Sequence, residues 1–381
     1  MKLPRLTQNQ IGLSTITLGN LVSNVIGGLT WLFLASMMQV DSYGEVNFYV
    51  SLATMIAFGA LFGMDTLLMT FIGKENDRKL VHQAFSFTLI ASTAGAAAIA
   101  FFNWQAAILC LGLVYFAMSV GEILGSQRYK EYAITVIAER SLRLGLSLLF
   151  FTLMGPLGIL VGFGVSHIAL AFRFHQTLRK VSLDFDALRP KFNFAGYSAG
   201  WNVLQNIPLF LDKTVIIGLY GLTTLGLYQI GMQFVSMAGM LPISIYQFML
   251  PRRSAGGVTR TLALVGIALS IGMAGIIILA SPAVIDVFFP QFIDAKTAVQ
   301  IVGIAIIPIT VTAIMNAELQ AHEKARHVFI GSLIYIGALL AGVVFLGKLF
   351  DLAGLAIGFL LANIVQAGFT TAAASLSRTK G

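Results

Sequence analysis

A chain of 381 residues that is 57% hydrophobic and only 10% charged, with a mean hydropathy of +0.86, is excluded from the water-soluble globular class, where charged residues make up roughly a quarter. Its 24 Lys and Arg against 16 Asp and Glu, a net +8, must then be read through membrane topology before any nucleic-acid partner is invoked. The single cysteine, Cys110, excludes an intrachain disulfide.

Twelve apolar segments, each near or above the ~20 residues that cross a hydrocarbon core, are predicted at 11–39, 43–72, 81–102, 105–124, 132–154, 157–177, 194–220, 224–250, 260–280, 295–319, 327–349 and 352–375. The first follows Lys2 and Arg5 and is far longer than a signal-peptide core, so it reads as an uncleaved span. With a cytoplasmic N-terminus, Lys296 and Lys348 fall outside and Lys213 lies within a span, while all other Lys and Arg fall on the inner side. One missed helix would exchange the sides of everything after it, so this asymmetry supports twelve spans with both ends cytoplasmic, in a cell membrane. The basic excess is thereby assigned to insertion and to anionic lipid headgroups, and no nucleic acid is needed.

The two halves echo each other. Asn20-Leu-Val-Ser-Asn24 in span one mirrors Asn202-Val-Leu-Gln-Asn206 in span seven, and Gly44 mirrors Gly226, both at a spacing of 182 residues. Gly125-Ser-Gln-Arg-Tyr-Lys-Glu-Tyr132 leads into span five as Leu319-Gln-Ala-His-Glu-Lys-Ala-Arg326 leads into span eleven. Leu157-Gly-Ile-Leu-Val-Gly-Phe163 in span six mirrors Ala353-Gly-Leu-Ala-Ile-Gly-Phe359 in span twelve, with small-xxx-small spacings that suit packing inside each lobe. An even number of spans separates the copies, so the halves insert in the same orientation. The expected fold is therefore all-α and polytopic: a lobe at 1–178 (spans one to six), a cytoplasmic linker at 179–193 and a lobe at 194–381 (spans seven to twelve), around a central cavity.

Enzyme signatures are weak. Asp184-Phe-Asp186 in the linker resembles a metal-binding Asp-X-Asp, but no nucleotide-binding domain accompanies it, and a solvated linker is the simpler reading. His322 and His327 are five apart, where a helical zinc pair needs four, so no metal is expected. Gly162-Phe-Gly164 lacks the context of a phosphate loop, and His167 reads as a packed or hydrogen-bonded histidine. No catalytic residues and no cofactor are assigned.

What remains are polar groups at lipid depth, which default to function. In span seven, Asn202, Asn206 and Lys213 share one helical stripe, Gln205 and Asp212 form the next, and Pro208 between them predicts a kink. Asp212 and Lys213 read either as a local ion pair or as functional groups. Asn20 and Asn24 share a face, as do Gln229 and Gln233; Glu139, Arg140 and Arg143 lie two to three turns into span five; Glu122, Asn316 and Glu318 lie near span ends.

Leu211-Asp-Lys-Thr-Val-Ile-Ile-Gly-Leu-Tyr-Gly221, Leu225-Gly-Leu-Tyr-Gln229 and Pro251 resemble the seventh and eighth helices of Wzx-type polysaccharide flippases, within the multidrug/oligosaccharidyl-lipid/polysaccharide (MOP) exporter superfamily. Asp41-Ser-Tyr-Gly44 with Phe62-Gly-Met-Asp65 resembles that family's first loop and second span, and Phe288-Phe-Pro-Gln-Phe-Ile-Asp-Ala-Lys296 its ninth-to-tenth connection. The resemblance implies an alternating-access transporter, working as a monomer, that carries a lipid-linked saccharide from the inner to the outer leaflet. Cations suit a pyrophosphate and amides suit sugar hydroxyls, so Arg140, Arg143 and Lys213 are expected to attract the phosphates and Asn20, Asn24, Asn202 and Asn206 to line the path. Relatives with a strongly cationic cavity often carry first-span arginines, and here there is none after Arg5. The alternative is an ion-coupled multidrug or metabolite antiporter of the same superfamily, for which Asp65, Glu122 and Asp212 are the coupling candidates. Without a nucleotide-binding loop, an H+ or Na+ gradient or the membrane potential is the expected drive.

Overall fold

The computed structural model describes residues 8–75, 77–178, 184–254 and 260–378, and among these the chain is helical with no strand. In order, the helices are α1 (Gln8–Met37), α2 (Val40–Leu61), α3 (Met64–Glu75), α4 (Arg78–Ala100), α5 (Trp104–Gly125), α6 (Tyr129–Met154), α7 (Gly158–Leu170), α8 (Phe172–Leu178), α9 (Phe192–Ala238), α10 (Met240–Ser254), α11 (Arg260–Phe288), α12 (Lys296–Ile304), α13 (Ile306–Ala321), α14 (Ala325–Ala341) and α15 (Gly347–Arg378).

Eight stretches among the described residues are long and apolar enough to cross a membrane. Two of them hold two crossings each, because α9 breaks at Gly221 and α15 at Phe350–Asp351. The short apolar α7 adds a crossing, and so does α6, whose apolar run carries Glu139, Arg140 and Arg143. This multi-pass pattern agrees with the twelve spans expected. Span two differs in detail: it is cut into α2 and α3 at Phe62 and Gly63, both with positive φ. A Cβ at Gly63 would overlap the Ala195 carbonyl, so glycine serves both the backbone turn and the close approach. The kink expected at Pro208 does not register as a non-helical residue; within α9 the backbone departs from helical values at Gly221.

Helix starts follow local chemistry. The Asp77 carboxylate accepts from the Lys79 amide at 2.8 Å to open α4, and the Asn103 carbonyl oxygen accepts from the Ala106 amide at 2.8 Å to open α5.

Packing divides the chain into two units, one of residues 1–30 and 46–210, the other of 31–45 and 211–381. In the first, α7 lies against α6, where a Cβ added to Gly162 would come within 2.6 Å of the Ser147 backbone. The stretch 184–192 docks on α4: the Leu188 amide donates to buried Gln83 at 3.0 Å, Phe185 and Phe192 pack on Phe87, and Lys79 pairs with Asp184 at 2.9 Å. Asp184 also accepts from the Asp186 amide, so the Asp-X-Asp of the linker forms a turn at an exposed ion pair. The Lys79 ammonium holds the Asp184 carboxyl below its ordinary value. In the second unit, the helical turn Gly342–Leu346 that follows α14 approaches α15 through Gly342 and Gly358, and Tyr43 packs edge-on against Phe292 at 5.4 Å.

Candidate functional site

Among the described residues, each unit buries a cluster of polar groups in apolar surroundings, where an unpaired charge would be costly. In the first unit, α6 presents Glu139, Arg140 and Arg143, and α7 returns alongside it with Ser166 and His167. Arg143 donates from Nε to Glu139 Oε1 at 2.8 Å, and its Nη2 lies 2.8 Å from the same oxygen and 2.8 Å from His167 Nε2. His167 Nδ1 lies 2.6 Å from the Phe163 carbonyl, which can only accept, so Nδ1 carries the proton and Nε2 accepts from the guanidinium. Ser166 Oγ lies 2.7 Å from the Phe163 carbonyl and 3.2 Å from Glu139 Oε1, which share its one proton, the Phe163 ring lies 4.9 Å from the guanidinium carbon of Arg143, and Phe116 meets His167 edge-on.

This arrangement assigns the charges. Glu139 and Arg143, at 2% and 10% side-chain exposure, neutralise each other, and His167 is held neutral by its two contacts. Arg140 is left as the net charge: its Nε is 3.7 Å from Glu139 Oε2 and its side chain is 32% exposed. Its stem lies over Gly27 of α1, where a Cβ would sit 3.7 Å from Arg140 Cδ. Two turns earlier, about 12 Å along the helix, Tyr132 donates to Asn20 Oδ1 at 2.5 Å. The faces of α1 and α6 thus share a polar line of Asn20–Tyr132 and Gly27–Arg140.

In the second unit, Asp212 is 4% exposed and accepts from the Lys213 amide at 2.7 Å. Its side chain makes no ion pair with Lys213, which corrects the ion-pair reading: adjacent helical residues project about 100° apart, so the ammonium turns to a different face. The Lys213 charge still acts on Asp212 from beyond ion-pair distance, and the hydroxyls of Tyr228 and Tyr335 lie within reach of the Asp212 charge. Asn363 donates to the Phe359 carbonyl at 2.8 Å, and the buried Tyr228 hydroxyl has no hydrogen-bond partner among the described residues. A carboxylate buried without an ion pair at bonding distance suits the uptake of a proton or a small hard cation.

The other expected positions are more scattered. Asn24 is exposed, and Asn206 donates to the Asn202 carbonyl of its own helix at 2.8 Å. The Asp65 backbone packs on Gly121, next to half-buried Glu122, and Asp65 Oδ1 has no partner among the described residues. Sequence reasoning did not join His167 and Ser166 to Arg143, nor Tyr228 and Tyr335 to Asp212. The separations are long, and the one available signal was a histidine in an otherwise apolar span.

No protein-family model and no curated protein matches the sequence. Solved structures do match its fold. The lipid II flippase MurJ in an inward-closed conformation aligns with a TM-score of 0.72 at 14% identity, over 93% of this chain and 86% of that one. An inward-facing multidrug resistance MATE family transporter of the MOP superfamily aligns with a TM-score of 0.65 at 16% identity, over 93% and 96%. A MOP-superfamily transporter from Pyrococcus furiosus, described as having a binding pocket of reverse polarity, aligns with a TM-score of 0.56 at 16% identity, over 96% and 93%. These similarities establish that the chain has the fold of MOP-superfamily membrane transporters.

Proposed function

We propose that this protein is a Wzx-type flippase that moves a polyprenyl-pyrophosphate-linked saccharide from the cytoplasmic to the outer leaflet of the cell membrane by alternating access, for surface-glycan assembly. The observation that carries the reading is the charge balance on α6: Glu139 is consumed by Arg143, which leaves Arg140 as a partly exposed cation beside α1. A fixed guanidinium at lipid depth suits a pyrophosphate, because charge-assisted bonds strengthen where water is scarce. Lys213, half-buried and without an ion pair to Asp212, is a second phosphate contact, and the amides of Asn20, Asn24, Asn202 and Asn206 serve the sugar. Arg143 acts through Arg140: it neutralises Glu139, which would otherwise compete for the same cation.

The second reading, an ion-coupled antiporter, is favoured by one observation. Asp212 is buried without a countercharge at bonding distance, as a carboxylate that takes up H+ or Na+ would be. In the flippase reading the same group couples transport to the gradient. Proteoliposomes separate the two. Outward movement of a fluorescent polyprenyl-pyrophosphate saccharide that disappears in Arg140→Gln and falls in Lys213→Ala supports the flippase. Gradient-driven extrusion of a cationic dye without lipid movement would replace it with the antiporter, centred on Asp65, Glu122 and Asp212.

A further inference from the structure

At the end of the second unit where α10 finishes and α11 begins, these helices and α13 enclose a cavity of about 530 Å³. That volume lies in the range of small-molecule sites. Its walls are apolar, with Met249, Ile267 and Met315 among them, and its polar groups are Arg253, Arg260 and Glu318. Arg253 Nε pairs with the buried Glu318 carboxylate at 2.5 Å, so this pair is neutral. Arg260, exposed at the N-terminus of α11, has no ion-pair partner among the described residues. The cavity therefore carries one net positive charge above an apolar chamber. By the distribution of Lys and Arg along the chain this end faces the cytoplasm, and basic pockets between transmembrane helices on that side bind anionic headgroups.

We infer that this cavity is a binding site for an anionic phospholipid of the inner leaflet, its phosphodiester on Arg260 and the outer edge of Arg253, and one acyl chain along Met249, Ile267 and Met315. One phosphodiester matches the single net charge, and apart from the three charged groups the walls offer no side-chain amide or hydroxyl to a saccharide. The site belongs to neither candidate transport cluster, and it holds whether the protein is a flippase or an antiporter.

Full-length purified protein, delipidated and titrated by native mass spectrometry with dioleoylphosphatidylglycerol or dioleoylphosphatidylcholine, tests it. The expected result is about tenfold tighter retention of the anionic lipid, the scale of one charge-assisted hydrogen-bonded contact. Arg260→Gln, at an exposed helix start, brings the two lipids to near parity, and Ala263→Trp, which fills the chamber with all charges kept, weakens retention of both. Equal retention by the unaltered protein, a preference that persists in Arg260→Gln, or undiminished retention in Ala263→Trp overturns the inference. So does competition by free glycerophosphoglycerol as strong as by the whole lipid, or displacement by an equimolar polyprenyl pyrophosphate, which would make the cavity a substrate station.

Discussion

Replacing Glu139 by glutamine keeps the shape of the side chain and removes its charge. Arg143 then remains in the membrane interior, 10% exposed, with one neutral acceptor where two 2.8 Å contacts to a carboxylate had been. Breaking a buried ion pair by removing one partner costs about 3–5 kcal/mol, and partners found within the membrane by the unfolded chain pull the expected value to the low end, about 3 kcal/mol. Arg143→Met alone leaves Glu139 facing Ser166 and Arg140 and is expected to cost a similar amount. The double variant Glu139→Gln/Arg143→Met removes both charges and should cost only about 1 kcal/mol in total, which gives a coupling of about 5 kcal/mol in a double-mutant cycle. The assay is thermal unfolding of the four proteins in the same nanodiscs, where 1 kcal/mol corresponds to roughly 2–4 °C for a unit of this size. Additive losses in the double variant, or a Glu139→Gln midpoint within a degree of the unaltered protein, would refute the buried network.

Arg140→Gln should leave the unfolding midpoint nearly unchanged, because its head is partly exposed, while lowering flipping of a polyprenyl-pyrophosphate saccharide at least tenfold; an intact rate removes Arg140 from the path. Asp212→Asn retains an acceptor for the Lys213 amide, so stability should hold or rise, while dependence of transport on an imposed H+ or Na+ gradient disappears; gradient dependence that survives would dismiss Asp212 as the coupling group. Gly162→Val drives side-chain atoms into the Ser147 backbone and should cost about 1–3 kcal/mol, whereas Gly272→Ala meets nothing within 4 Å and should be neutral or stabilising, both read as unfolding midpoints; equal effects would deny the close approach of α6 and α7.

Composition and charge distribution were enough to establish a multi-pass all-helical protein, because a helix that crosses a bilayer must satisfy its backbone internally and present a long apolar surface, and both demands are written locally. The small residues of the Gly158/Gly162 and Gly354/Gly358 pairs were legible for the same reason, as was the break near Gly221. The split of span two was not read, since hydropathy is blind to backbone dihedrals and nothing in the apolar run marks Phe62 and Gly63 as left-handed. Arg140 and Arg143 were singled out together, as equivalent cations, because linear spacing shows a charge but not its partner.

Their difference is tertiary. Glu139 and Arg143 meet by helical spacing, which the sequence shows, but His167 and Ser166 reach them only through the packing of α7 on α6, and Arg140 lies over Gly27, more than a hundred residues away. The same holds for Asp212, which takes the amide but not the ammonium of its sequence neighbour Lys213 at bonding distance, and whose charge reaches Tyr228 and Tyr335 in later segments. The sequence determined that this is a membrane-embedded helical protein with charges inside it, since solvation is a property of composition. Which charges are neutralised and which remain available was decided by the tertiary structure, since electrostatic energy inside a membrane depends on distances of a few ångströms between groups that the chain order holds far apart.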